Sequence, residues 1–214
     1  MGLYLGKFRI GVELPAVAHA EKRAGYELRT YAPAVAAAVE AEGEALKGSD
    51  GFRALAGYIG AFGEAKNDGG GKIAMTAPVV TQDKPAAGTK IAMTAPVVTQ
   101  DGSESYVMQF IMPSKYTSVE QLPAPTDSRV SLVQLQERTL AVRQFGGRAT
   151  AASIEKNTEA LLSALERDGV TCEGGASPRE APVELARYND PFTPGFLRTN
   201  EVWIRVAAST AGGE

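Results

Sequence analysis

The sequence predicts an α+β fold in which an antiparallel sheet or barrel, built from two pseudo-symmetric halves, carries two helices. Strand-length runs of alternating apolar and polar residues dominate the chain, and only two segments have helical period. The order strand pair, helix, further strands occurs over 25–112 and again over 129–207. Length alone, 214 residues, favours one domain over 1–214.

The elements follow in order. GYELRTY (25–31) alternates, as does the small-residue run AVAAAVEAEG (34–43), and Pro33 between them marks a turn. In GFRALAGYIGAFG (51–63), Phe52, Leu55, Ile59 and Phe62 recur at i, i+3, i+7 and i+10; Ser49 or Asp50 can cap the start and Gly63 the end. SYVMQFIMP (105–113) is a strand closed by a proline. RVSLVQLQERTLAVRQF (129–145) forms a hairpin that breaks near Gln136–Thr139. The second helix covers 149–169, with Ile154, Thr158, Leu161, Leu162 and Leu165 as its apolar stripe and Gly169 at its end. TNEVWIRVA (199–207) is the last strand.

One feature interrupts this plan. KIAMTAPVVTQD stands at 72–83 and again at 90–101, separated by KPAAGT. Two short copies are too few for a solenoid. Each has a Val-Val-Thr strand signal after a proline, which favours the start of a strand. The pair reads as a duplicated loop and strand, with one copy in the fold; which copy is left open.

Composition excludes several functions. A formal charge of −3 gives no basic stripe, so nucleic acid is not an expected partner. No apolar run is long enough for a membrane span. Residues 1–15 have neither secretory nor transit composition, and Gly6 stands where a myristoylation signal has Ser or Thr. With one cysteine, Cys172, no internal disulfide forms, and the expected location is the cytoplasm. His19 is the only histidine, so no catalytic arrangement needing a second one exists. It reads as a surface or strand residue, and Cys172 as a structural thiol without zinc partners. GGGK at 69–72 is not a phosphate loop, because Lys66 takes the place of its first glycine and Ile73 that of the magnesium-binding hydroxyl.

Two segments are locally odd. The first helix contains Gly57 and Gly60, each costing about 1 kcal/mol against alanine in a helix interior. Tight packing on the sheet explains them, and so does a flat apolar ligand lying against a low helix surface, with Phe52, Leu55 and Ile59 as wall and Arg53 at the rim. The loop RYNDPFTPGFLRTNE (187–201) carries Tyr188, Phe192 and Phe196. These are either pinned to the core or form a lid over an apolar pocket, with Arg198 available for an anionic group.

GYELRTYAPAVAA, the doubled KIAMTAPVVT, FIMPSKYTSVEQLPAPTDSRV, AVRQFGG and YNDPFTPGFLRTNEV resemble, in order, the blocks of the SOUL haem-binding family, from about Lys7 to Val206. The opening residues and the doubled block look most like its cytosolic plant and green-algal branch. The resemblance implies a distorted antiparallel β-barrel flanked by two helices. It also implies reversible binding of haem or metal-free porphyrin in a shallow apolar groove, and no catalytic residues. Carried over, the groove falls on Phe52, Arg53, Ala56 and Ile59 of the first helix and on Tyr188, Phe192 and Phe196 of the loop. In some animal members a histidine proposed as iron ligand follows the Tyr-Glu-x-Arg block. Thr30 stands there, so affinity is expected from apolar contact, with His19, a tyrosine or a methionine as the alternative donor. The expected role is a tetrapyrrole carrier, buffer or sensor, with delivery partners unspecified. Its alternatives are a tetrapyrrole-modifying enzyme, or an interaction or effector-binding domain on the same fold.

Overall fold

Alternation sets the two faces of the sheet. In the computed structural model, which describes residues 12–42, 49–84, 105–189 and 193–207, nine antiparallel strands form one curled sheet, a half-barrel. The strands are β1 (Val17–Arg23), β2 (Tyr26–Tyr31), β3 (Ala34–Glu42), β4 (Val79–Lys84), β5 (Ser105–Ile111), β6 (Val130–Leu135), β7 (Arg138–Gly146), β8 (Val183–Arg187) and β9 (Thr199–Val206). The helices are α1 (Ser49–Ile59) and α2 (Ala151–Arg167). The expected elements are present, and two unexpected strands join them. β1 is exposed along its whole length and shows no apolar period, while β8 is only five residues long.

The spatial order β1-β2-β7-β9-β8-β4-β5-β3-β6 makes the pseudo-symmetry concrete. It is mirrored about the β8/β4 junction, with β7-β9-β8 on one side answering β3-β5-β4 on the other. The first strand of each half, β2 or β6, pairs with the opposite half's second strand, β7 or β3. That exchange ties the halves together.

One face packs inward as a cluster including Tyr31, Ala36, Val80, Leu140, Val142, Ala186 and Trp203. The other face is covered by the helices. α1 lies on Val35, Ala37, Val39, Met108 and Phe110. α2 lies on Ala141, Leu185, Val202 and Ile204 through Leu161, Ala164 and Leu165. Thr150 caps α2, its hydroxyl accepting from the Ser153 amide at 3.2 Å. The first KIAMTAPVVTQD copy supplies Ile73, Ala77 and β4 to this framework. The copy at 90–101 lies outside the described residues.

The glycines of α1 serve the chain itself. Gly60 falls just beyond the helix with φ +73°, the left-handed cap that ends it three residues earlier than Gly63 would. A β-carbon there would stand 2.9 Å from Ala65 Cβ. At Gly57 the approaching group is the flexible Lys66 side chain at 3.3 Å. The close contact between helix and sheet is instead at Gly51, where a β-carbon would meet Val39 at 3.0 Å and Tyr106 at 3.1 Å. Gly60→Ala is therefore expected to destabilise by about 1–2 kcal/mol from the backbone alone, before the clash is counted. Gly57→Ala is expected to be neutral to mildly stabilising. Thermal denaturation of both variants checks this; equal effects would contradict it.

Candidate functional site

Direct cross-strand partners share a face of a sheet, so their rows show what lies between the helices. The row Val39–Met108–Thr81–Leu185–Val202 crosses the covered face from beneath α1 to beneath α2. Val39 and Met108 belong to the α1 cluster, and Leu185 and Val202 to the α2 cluster. The strip over β4 and β8 is thus the floor of a trough between the helices, at the junction of the two halves. Its paired rows are Val79–Arg187 and Thr81–Leu185, with Asp83 and Val183 beyond.

A groove of about 750 Å³ opens along the α2 side of this floor, within the size range of small-molecule sites. Thr81, Val183 and Leu185 form its base, Ala151, Ala152, Ile154 and Thr158 its wall, and Asp83, Glu155, Lys156 and Glu159 its charged rim. Glu159 is engaged by Arg179 at 2.9 Å. On the α1 side, the half-buried Phe52 ring meets Phe110 edge-on at 5.5 Å between centroids and Phe62 at 6.3 Å. Phe62 is 74% exposed, a large apolar side chain left facing solvent where α1 ends. Phe110 pairs directly with Val79 on the floor. The trough is shallow, apolar below and aromatic on one side.

The residues expected to bind ligand divide sharply. Ala56 and Ile59 are 0% and 1% exposed inside the α1 cluster, so they face the sheet and present no surface to a ligand. The apolar stripe that makes α1 a helix is the stripe the core takes. Tyr188 is buried on the inner face, donating to Glu201 Oε2 at 2.6 Å; burial and the nearby carboxylate hold its phenol well above the usual tyrosine range. It pins the base of the β8–β9 loop and does not line the outer trough. Phe52 stands at the trough, and Arg53 is exposed beside Asp50 at 3.6 Å. Phe196 is 83% exposed. It sits in the loop leaving the sheet end at which Val79 and Arg187 pair. Phe192 lies outside the described residues. Arg198, expected as a cation, donates through Nε to the Thr193 carbonyl at 2.8 Å.

Neither His19 nor the Thr30 position, where some animal members carry the histidine, is near this floor; of the other donors expected, Met108 pairs with Thr81 beside it. Thr30 bonds Thr139 across β2 and β7 at 3.0 Å between hydroxyl oxygens. His19 is paired with Thr30 on the exposed strand β1, with β2, β7 and β9 between it and β8. Among the described residues no three His, Cys, Asp or Glu side chains cluster to hold a metal. Cys172 is fully buried in the α2 cluster, and burial pushes its thiol up.

The curled sheet and its two covering helices define an α+β protein of the distorted half-barrel class. Comparison gives the family. The SOUL heme-binding protein family model matches residues 12–87 and 82–205, and the chain belongs to this family. Heme-binding protein 2 of Mus musculus is 32% identical over 184 residues, spanning 84% of this chain and 77% of that protein. Its Homo sapiens counterpart is 31% identical over the same shares. Among solved structures, an uncharacterized conserved protein from Listeria innocua superposes with a TM-score of 0.57 at 14% identity, covering 85% of this chain and 92% of that one. A hydrolase from the same organism gives 0.54 at 14% identity, covering 85% and 91%. These likenesses are of fold alone. Among the described residues no helix is long and apolar enough to cross a membrane.

Proposed function

We propose that this chain reversibly binds haem or metal-free porphyrin in the trough between α1 and α2, as a cytoplasmic tetrapyrrole carrier, buffer or sensor and not as an enzyme. The observation that carries the reading is the open groove over β4 and β8 along α2, largely apolar at its base, with the Phe52–Phe62 pair at the end of α1 on the same face of the sheet. Family membership and the two heme-binding relatives support the ligand class. The site is Phe52, Phe62, Val79, Leu185 and the first turns of α2, with Arg53 and the Phe196 loop at its ends.

No described residue along the trough is a histidine. The groove therefore suits the apolar face of a porphyrin, and its affinity rests on burial at about 25 cal/mol per Å² of apolar surface. Haem and metal-free protoporphyrin are then expected to bind alike. His19→Ala should leave the absorption spectrum of the haem-loaded protein unchanged. Ala152→Trp, which fills the groove from α2, should weaken both ligands at least tenfold without changing the melting temperature. Fluorescence and absorbance titrations check this. A tenfold preference for haem that vanishes in His19→Ala would replace the apolar reading with iron coordination, and full affinity in Ala152→Trp would move the site elsewhere.

A further inference from the structure

The floor of the trough contains one residue that its packing does not explain. Arg187 ends β8, paired with Val79 on one side and Asn200 on the other. The neighbouring residues Ala186 and Tyr188 pack into the inner cluster, so Arg187 projects to the outer face, as does Leu185. It is mostly buried. Yet it makes no hydrogen bond or ion pair to any described residue, and among these the Tyr106 phenol is the only ionisable group that bears on it. Burial without a counter-charge lowers its pKa, the opposite of what pairing does to Arg29 and Arg205 elsewhere in the sheet.

A largely buried guanidinium with no acidic partner among the described residues carries a desolvation cost that nothing in the fold offsets, and its place on the trough floor suggests a use. The surroundings indicate one. Along α2 the groove is lined by the acidic groups Asp83, Glu155 and Glu159, offset only by Lys156 and by Arg179 on Glu159, whereas Arg187 stands at the end where the β8–β9 loop departs. Val79 lies directly beside it, with Phe110 and Phe52 beyond. An acid group is repelled from one part of the trough and drawn to the other. The planar fork of arginine matches a carboxylate with two parallel hydrogen bonds.

We propose that Arg187 is the carboxylate anchor of this trough. Its ligand is an amphipathic acid whose rigid apolar body lies over Val79, Leu185 and Phe52 and whose acid group turns toward the end of β8. The inference rests on the trough being the ligand site and adds the ligand's orientation and the chemistry of its polar end.

The test compares protoporphyrin IX with its dimethyl ester, whose ring is unchanged and whose acid groups are blocked. Wild-type protein should bind the diacid at least tenfold more tightly than the ester. Arg187→Met should lose that preference, binding both as wild type binds the ester, while Lys22→Gln, at an exposed lysine of β1 remote from the trough, should change diacid affinity less than twofold. Arg187→Met should also melt at the same temperature as wild type or higher, since it removes a largely buried charge that no described acid pairs. A lower melting temperature with the diacid preference intact would show that Arg187 is structural, and overturn the inference. If wild type binds neither porphyrin, the reading of the trough as a porphyrin site fails instead. If it binds both equally and Arg187→Met does not differ, the trough stands and the anchor falls.

Discussion

Replacing Glu201 with alanine is expected to remove about 3–5 kcal/mol of stability, the usual result of breaking a buried ion pair from one side. Glu201 is 0% exposed in the middle of β9. Its Oε1 accepts from Arg29 Nη1 at 3.0 Å, and its Oε2 accepts from Tyr188 Oη at 2.6 Å and from Trp203 Nε1 at 2.9 Å. Arg29 is itself 6% exposed and also reaches Glu27 at 2.7 Å and Tyr31 at 3.3 Å. Without Glu201, a buried guanidinium loses its main counter-charge and two aromatic donors lose their acceptor. A loss of that size is a large part of the roughly 5–15 kcal/mol that holds a domain together. The double replacement Arg29→Met with Glu201→Met should recover part of it, because the pair's desolvation cost disappears along with its attraction while the Tyr188 and Trp203 donors stay without their acceptor. Urea denaturation measures both. A loss below about 1 kcal/mol in Glu201→Ala would mean that the network is incidental to the fold.

Elements with a clear period were legible in the sequence; the direction in which their side chains work was less so. β3, β5, β9 and both helices follow from alternation or a 3.6-residue stripe, and the two-halves plan follows from their order. β1 has no apolar face to announce it, and β8 announces itself only once its partners are known. The site suffers most from this limit. Ile59 belongs to the stripe that identified α1, and such a stripe is by default the one a core buries, so helix recognition and ligand contact drew on the same residue for opposite roles. Tyr188 likewise faces inward because β8 continues through it in alternation with Arg187. A signal for Arg187 does exist in Val-Glu-Leu-Ala-Arg (183–187): the arginine shares the period of Val183 and Leu185. A charge on an apolar period is informative, but only after the segment is known to be a strand. Glu201 gives the same signal beside Trp203 in Thr-Asn-Glu-Val-Trp.

The duplicated segment should make one β4 position tolerant to a substitution that destroys the fold when both copies carry it. Val80 is 2% exposed in the inner cluster with Tyr31 and Trp203, and a carboxylate there has no partner, so Val80→Asp in a single-copy chain should cost several kcal/mol. Deleting 72–89 or 84–101 produces one and the same single-copy sequence. In it Gly102 takes the position of Lys84 opposite Ser105, leaving Ser103 and Glu104 as a two-residue hairpin turn. The deletion itself should therefore fold with a melting temperature close to that of the full chain. In the full chain every side chain of β4 except Lys84, whose counterpart is Gly102, is repeated eighteen residues later. Moving between copies changes the flanking connections from 12 and 20 residues to 30 and 2, a closure difference of only about 1 kcal/mol. Val80→Asp in the full chain should accordingly lose little, Val98→Asp nothing measurable, and the double variant as much as the single-copy Val80→Asp chain. Denaturation midpoints of the four proteins decide it. If Val80→Asp alone is as damaging as the pair, the sheet accepts residues 72–83 only, and the identity of the second copy confers no redundancy on the floor of the trough.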